Sequence, residues 1–204
     1  MDYVLFVLIL ASLYAILAVS LNLLVGLTGL VSIAHAGFMA IGAYATALLT
    51  MKAGANFFVA AGVGMGIAAC VAAVLAVPTL KVTGDHYIIA SFGFQVIIIS
   101  VLLNWPALTN GPFGISGIPR PSLLGFTFTG YRSLLALAVV LAGLAGWVAW
   151  RIAVSPFGAV LRAIREDEAA ARSLGKAVTR FKVQVFVVGC ALAALGGAFY
   201  AGGT

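Results

Sequence analysis

RIAVSPFGAVLRAIREDEAAARSLGKAVTRFK, residues 151–182, is the one long polar stretch in an otherwise apolar chain. Arg151, Arg162, Arg165, Arg172, Lys176, Arg180 and Lys182 are seven of the eleven basic residues, and Glu166, Asp167 and Glu168 are three of the five acids. A charge at mid-bilayer costs roughly 2.5–3.5 kcal/mol on insertion scales. The stretch is therefore a loop between membrane spans. Lys and Arg collect in loops that are not translocated, so the excess of bases predicts a cytoplasmic one.

The loop carries its own helix signals. Ser155-Pro156 reads as a start, a hydroxyl cap followed by a proline whose missing N–H costs nothing at the first helical position. Gly175 reads as a stop. Between them Phe157, Val160, Leu161, Ile164, Ala171 and Leu174 recur at helical spacing, with only Glu168 interrupting the apolar side. The pattern predicts one amphipathic helix from Ser155 to Gly175. It rests on the headgroups or on its own bundle, or else docks a protein.

Outward from the loop, 64% of residues are hydrophobic and 8% charged, and the mean hydropathy is +1.20. Soluble domains carry about a quarter charged residues, so the composition is that of an integral membrane protein with lipid as its surroundings. The net charge of +6 follows from the one basic loop and gives no reason to invoke nucleic acid. Cys70 and Cys190 sit alone in apolar runs and read as packing residues. The N-terminal apolar run exceeds a signal-peptide core of about 7–15 residues and reads as a retained span.

With roughly 20 apolar residues per crossing, the chain reads as an all-α polytopic transmembrane helix bundle of about six spans. These cover about Tyr3 to Val25, Leu30 to Met51, Asn56 to Val77, Tyr87 to Leu103, Ser133 to Trp150, and Phe181 onward with Thr179 as a cap. Residues 1–204 form a single transmembrane domain, with 151–182 a loop within it. Pro and Gly are too dense between Asn104 and Tyr131 for a membrane helix, so that segment is a structured loop whose Trp105, Phe113 and Tyr131 suit an interface. Alternation places this loop outside, Lys81 to His86 inside, Lys52 to Asn56 outside and Asp2 outside, leaving Lys52, Arg120 and Arg132 against the charge bias. The small-residue stretch around His35 reads either as a full span or as a broken or re-entrant helix; a broken or re-entrant one would flip the parity before it and put the amino terminus inside.

The chain has no G-x-x-x-x-G-K-[ST], H-E-x-x-H or G-x-S-x-G motif and no Cys/His cluster with metal spacing. An enzyme is not supported, and no cofactor or metal is expected. Ion-driven carriage would need acids at depth, whereas Asp85 lies at a span edge and Asp2 at the terminus. Energy for uphill transport has to come from a partner. Asn22, His35, Gln95 and Asn104 are uncharged polar residues within or beside spans. Each reads either as an interhelical packing residue or as the lining of a translocation path.

Residues 162–175, RAIREDEAAARSLG, followed by 178–182, VTRFK, resemble the cytoplasmic coupling segment of ABC importer permeases of the branched-chain amino acid family, LivM type. GPFGISGIPRP at 111–121 is similar to the family's outer loop, and LNLLVGLTGL at 21–30, with Ala36-Gly-Phe and Gly42-Ala-Tyr, to its amino-terminal part. The chain departs from the family in two places: Glu168 falls one residue early against the spacing held by Ala170, Ala171 and Gly175, and Gln95 stands where an acid is common. The resemblance implies that Arg162, Arg165, Glu166, Asp167, Glu168, Ala170, Ala171 and Gly175 contact ABC ATPase subunits. It also implies a second homologous permease subunit, LivH-like, an external substrate-binding protein, the bacterial inner membrane, and a longer chain with spans after the sixth. The alternative expectation is a self-contained facilitator for a small neutral solute such as urea.

Overall fold

No charge interrupts residues 3–51, yet this run does not fold into two equal helices. The computed structural model describes residues 2–79, 85–115, 117–119, 122–123, 126–127 and 130–203. In it α1 (Asp2–Thr28) ends at Gly29, whose φ of 72° few other residues adopt. The chain then runs without helix to α2 (His35–Lys52). The long apolar helices continue with α3 (Phe57–Thr79), α4 (Asp85–Leu103), α6 (Tyr131–Val154) and α9 (Val178–Gly203). The expected outer loop holds the short α5 (Pro106–Thr109), a 3-10 turn at Gly111–Phe113, and a minimal antiparallel ladder of β1 (Ser122–Leu123) and β2 (Phe126–Thr127). Trp105 and Phe113 of that loop are exposed. Lys81, Thr83 and Gly84 of the expected connection, and Arg120 and Pro121, lie outside the described residues.

Five helices among the described residues are long and apolar enough to cross a membrane: α1, α3, α4, α6 and α9. The second of the expected six spans is absent from that set because α2, although as long as the span counted in α4, includes His35, Tyr44 and Lys52 and is less apolar. Two boundaries also move. Thr179 lies inside the first turn of α9, which already begins at Val178, and α3 continues through Pro78 to Thr79.

The core is built on α9. In its apolar window 72% of residues are buried, against 17% in α4, because Gly189, Ala193, Ala194, Gly196, Gly197 and Ala198 let α1, α2 and α3 approach closely. A Cβ on Gly42 would run into the backbone of Ala194, and one on Gly197 into the carbonyl of Met39. The pairs His35 with Gly189 and Gly42 with Ala194 progress in the same sense, so α2 lies beside α9 and runs parallel to it. Phe38 and Phe186 meet edge-on at 5.8 Å in this seam. Cys190 is buried there as expected, whereas Cys70 is exposed on α3.

Candidate functional site: a basic ledge and a broken second helix

The expected helix from Ser155 to Gly175 is two helices, α7 (Pro156–Glu166) and α8 (Glu168–Ser173). Its start stands as read: Ser155 Oγ accepts from the Gly158 N–H at 3.2 Å, with Pro156 next in line. The break falls at Asp167, whose extended backbone leaves the helix while its Oδ1 accepts from the Ala170 N–H at 2.9 Å. A short carboxylate competes with the helix for a backbone donor and wins as an N-cap. The end also stands. Gly175, at φ 74°, gives its N–H to Arg172 and the Lys176 N–H reaches Ala171, the two bonds that close a helix through a left-handed residue.

This ledge is fixed from behind. Leu161 and Ile164 are buried, and Phe157 stacks on Phe181 of α9 at 5.3 Å. Arg162 Nη1 donates to the Ala153 carbonyl in the last turn of α6 at 2.7 Å, and Arg165 Nη1 to the Gly26 carbonyl in the last turn of α1 at 2.6 Å. Both cations therefore sit at the negative ends of apolar helices, where carbonyls lack intrahelical donors. Glu168 does not break an apolar face, because the turn at Asp167 directs it inward. Its Oε2 meets Lys182 Nζ and its Oε1 Arg172 Nη2, each at 2.6 Å. Burial pushes the Glu168 carboxyl up, but the hydrogen bonds and charges of Lys182 and Arg172 outweigh that and hold it below the usual value. Lys182, 8% exposed, escaped the sequence reading as a site residue because its partner lies across a chain reversal.

The outer face of the ledge is free. Glu166 is exposed without an ion-pair partner among the described residues, Ala170 is exposed, and Leu174 is 78% exposed. Ala171 is buried against Ile164 and Val178. Of the residues proposed from sequence, the structure thus bonds Arg162, Arg165 and Glu168 to α6, α1 and α9 and leaves Glu166, Ala170 and the neighbouring Leu174 unbonded on the outer face.

The second feature is the start of α2. Gln95 Oε1 accepts from the Gly37 N–H at 2.7 Å, and Ser91 Oγ accepts from the Ile33 N–H at 3.1 Å while donating to the Ile88 carbonyl. Side chains of α4 thereby serve the free donors at the head of α2, whose own N-cap residue, Ala34, cannot. Gly189 faces both the Ser20 carbonyl and the His35 ring; at 1.5 Å per residue, Ser20 lies ~12 Å from the end of α1, Gln95 ~15 Å into α4 and Gly189 ~16 Å into α9. The head of α2 therefore sits about halfway along the bundle, reached by the non-helical residues 29–34. Of the two readings of the stretch around His35, the broken helix is the one found, but the parity expected to flip with it does not: Phe6 near the start of α1 lies beside Tyr44 of α2 at the end opposite the ledge, and Gly26 near the end of α1 lies against the ledge.

His35 and Gln95 come together here; Asn22 and Asn104 do not join them. Asn22 lies exposed over Gly26 on α1, and Asn104 is exposed at the far end of α4, donating to the Ser100 carbonyl at 2.9 Å. Sequence reading missed Ser32, Ser91 and Tyr87. The last two share with Gln95 a spacing of four in α4, a polar stripe that was legible. Ser32 Oγ, both ring nitrogens of His35 and Tyr87 Oη are buried without a well-formed hydrogen bond among the described residues; the Tyr87 hydroxyl faces that of Ser32, and His35 faces the backbone of Ser20. At the opposite end of the bundle from the ledge, Phe6, Ala43, Tyr44, Ile115, Tyr131 and Tyr200 border a cavity of about 580 Å³.

Apolar helices around a small-residue centre, one of them broken halfway at a polar cluster, with a charged ledge bonded to their ends, make a multi-pass membrane protein of transporter type. The family model for the branched-chain amino acid transport system / permease component matches residues 3–204, and the chain belongs to that family. The LivM permease protein of the high-affinity branched-chain amino acid transport system of Salmonella typhimurium is 35% identical over 211 residues, which is 92% of this chain and 50% of that protein. Its Escherichia coli K12 counterpart is 35% identical over 215 residues, 94% of this chain and 51% of that protein. The autoinducer 2 import system permease protein LsrC of Klebsiella pneumoniae is 32% identical over 117 residues, 56% of this chain and 32% of that protein. The chain spans about half the length of the LivM proteins of the two enteric bacteria. No solved structure matches at a significant level.

Proposed function

We propose that this chain is the membrane-spanning part of an ABC importer permease that carries branched-chain or related amino acids across the bacterial inner membrane. ATP is hydrolysed by partner subunits seated on the α7–α8 ledge, which faces the cytoplasm. A second, LivH-like permease subunit completes the path, and an external binding protein delivers substrate at the end bearing the 580 Å³ cavity. Besides the family match, the observation that carries this reading is the construction of the ledge. Its inner face is bonded to α1, α6 and α9, while its outer face presents Glu166, Ala170 and Leu174 with nothing to hold. A lever that passes force to the spans needs that arrangement.

Copurification tests it. The ATPase subunits should be retained by the unaltered permease and lost at least tenfold when Leu174→Asp is combined with Ala170→Glu, both on the exposed face. Equal retention, or no ATPase on the unaltered protein, would overturn the proposal. Charge reversal at Arg165 or Glu168 is the wrong probe, because it dismantles the ledge from within.

A further inference from the structure

We infer that the groove between the end of α8 and the first two turns of α9 is a binding site for the phosphate of an anionic phospholipid, held by Arg172, Lys176 and Arg180. The site requires only that the chain span a membrane, whatever solute it carries.

The turn from α8 into α9 is where the positive charge of the loop is left without a counterpart. Glu168 is engaged with Lys182 and Arg172, and Asp167 with the Ala170 N–H. Lys176 and Arg180 are exposed and have no ion-pair partner among the described residues. Arg172 gives Nη2 to Glu168, but a guanidinium carries five N–H donors in a planar fork, so others remain for a second acceptor. All three cations line one groove of about 690 Å³, together with Thr179, Val183 and Gln184. That volume is within the roughly 300–1,000 Å³ of small-molecule sites. A cleft lined by one sign of charge focuses its field on the space within and gathers counter-ions there. Thr179 and Gln184 add a hydroxyl and an amide as further donors.

The depth of the groove selects a lipid as the source of the anion. α9 has 26 residues, which at 1.5 Å each make ~39 Å against a hydrocarbon core of about 30 Å. The ~9 Å of excess falls at its start, because Arg180 and Lys182 stand there and no charge follows from Val183 to Gly203. Residues 178–183 therefore lie in the headgroup layer. The ends of α1 and α6, bonded to Arg165 and Arg162 of the ledge, belong to the same leaflet. The groove thus lies at the level of the phospholipid phosphates, with Val183 at its membrane side. Basic pockets at this level take anionic headgroups. A zwitterionic lipid would bring a cation of its own among three others, whereas an anionic one brings none. Arginine offers two parallel donors to a phosphate and lysine a compact charge. A lipid held by Arg172 of α8 and Arg180 of α9 bridges the left-handed turn at Gly175 and ties the ledge to the span behind it.

Thermal unfolding of the purified protein in a neutral detergent tests the site. The probes, at equal concentration, are dioctanoyl phosphatidylglycerol, dioctanoyl phosphatidylcholine and inorganic phosphate. Phosphatidylglycerol should raise the midpoint by about 4 °C, and each of the others by less than a quarter of that. In Lys176→Gln/Arg180→Gln at least three quarters of the shift should be lost, and in Arg180→Gln alone about half. Both residues are exposed, so the midpoint without lipid should stay that of the unaltered protein. Lys52→Gln/Arg151→Gln, which removes the same charge outside the groove, should keep the full shift. Native mass spectrometry reads the site directly: the double groove variant should retain one phosphatidylglycerol fewer. An equal shift from phosphatidylcholine or from inorganic phosphate, or a full phosphatidylglycerol shift in the double groove variant, would overturn the lipid site. Loss of the ATPase subunits from that variant with the lipid shift unmoved would assign the groove to the ATPase instead.

Discussion

Arg165 Nη1 reaches the carbonyl of Gly26 at 2.6 Å, joining the loop helix α7 to the last turn of α1, 139 positions earlier in the chain. That carbonyl lies three residues before the point where α1 gives way to the leg leading to α2. Removing the guanidinium should release the leg, at a cost of about 1 kcal/mol for an exposed charged hydrogen bond. In Arg165→Ala, amide hydrogen exchange over residues 29–34 is expected to quicken roughly fivefold, while α6 exchanges as before. Unchanged exchange in the leg would show that the bond carries no load.

Glu168 supplies a pH-dependent prediction. Its carboxyl is held below the usual 4.5 by Lys182 and Arg172, so the folded state binds its proton less readily than the unfolded one. The stabilisation is fully present above the usual value and is lost as pH falls through the lower, folded one. Glu168→Gln should lower stability by about 2 kcal/mol near neutrality, because Lys182 is left buried and unpaired. The gap between the two proteins should close in acid. Thermal unfolding in detergent as a function of pH measures it, and Glu168→Gln/Lys182→Met should recover part of the loss.

The α2–α9 seam should tolerate no side chain at its contact points. Gly197→Ala pushes a methyl onto the Met39 carbonyl, and Gly42→Ala onto the backbone of Ala194. Each should lower stability by about 3 kcal/mol or more, since backbone cannot yield as a side-chain tip can. Gly62→Ala and Gly66→Ala, where nothing lies within 4 Å, should be neutral or slightly stabilising through helix propensity. Monodispersity after heating, read by size-exclusion chromatography, separates the two pairs.

The end of the ledge depends on one left-handed residue. Gly175→Ala keeps the same contacts but must hold φ near 74°, which should cost about 1 kcal/mol. The effect should be seen as faster exchange at Gly175 and Lys176, with the start of α7 unaffected.

The apolar composition of the chain outside residues 151–182 was enough to show that it spans a membrane, and residues 151–182 that its polar loop carries helices, because charge and apolarity act through solvation, which composition alone determines. The cap at Ser155 and the stop at Gly175 were equally legible, since each depends on a residue's own backbone chemistry. Three things were decided only in the folded molecule. Asp167 splits the loop helix because its carboxylate finds the Ala170 N–H in the folded turn. Glu168 faces inward because Lys182 waits across a chain reversal, and α2 begins halfway along the bundle because Gln95 and Ser91 of α4 are there to serve its free donors. In the last two cases a polar group found its partner only after the chain had brought distant segments together, and a pattern of spacings holds no record of partners chosen at that distance; at Asp167 the partner is local, and the competition between cap and continued helix was settled by the fold.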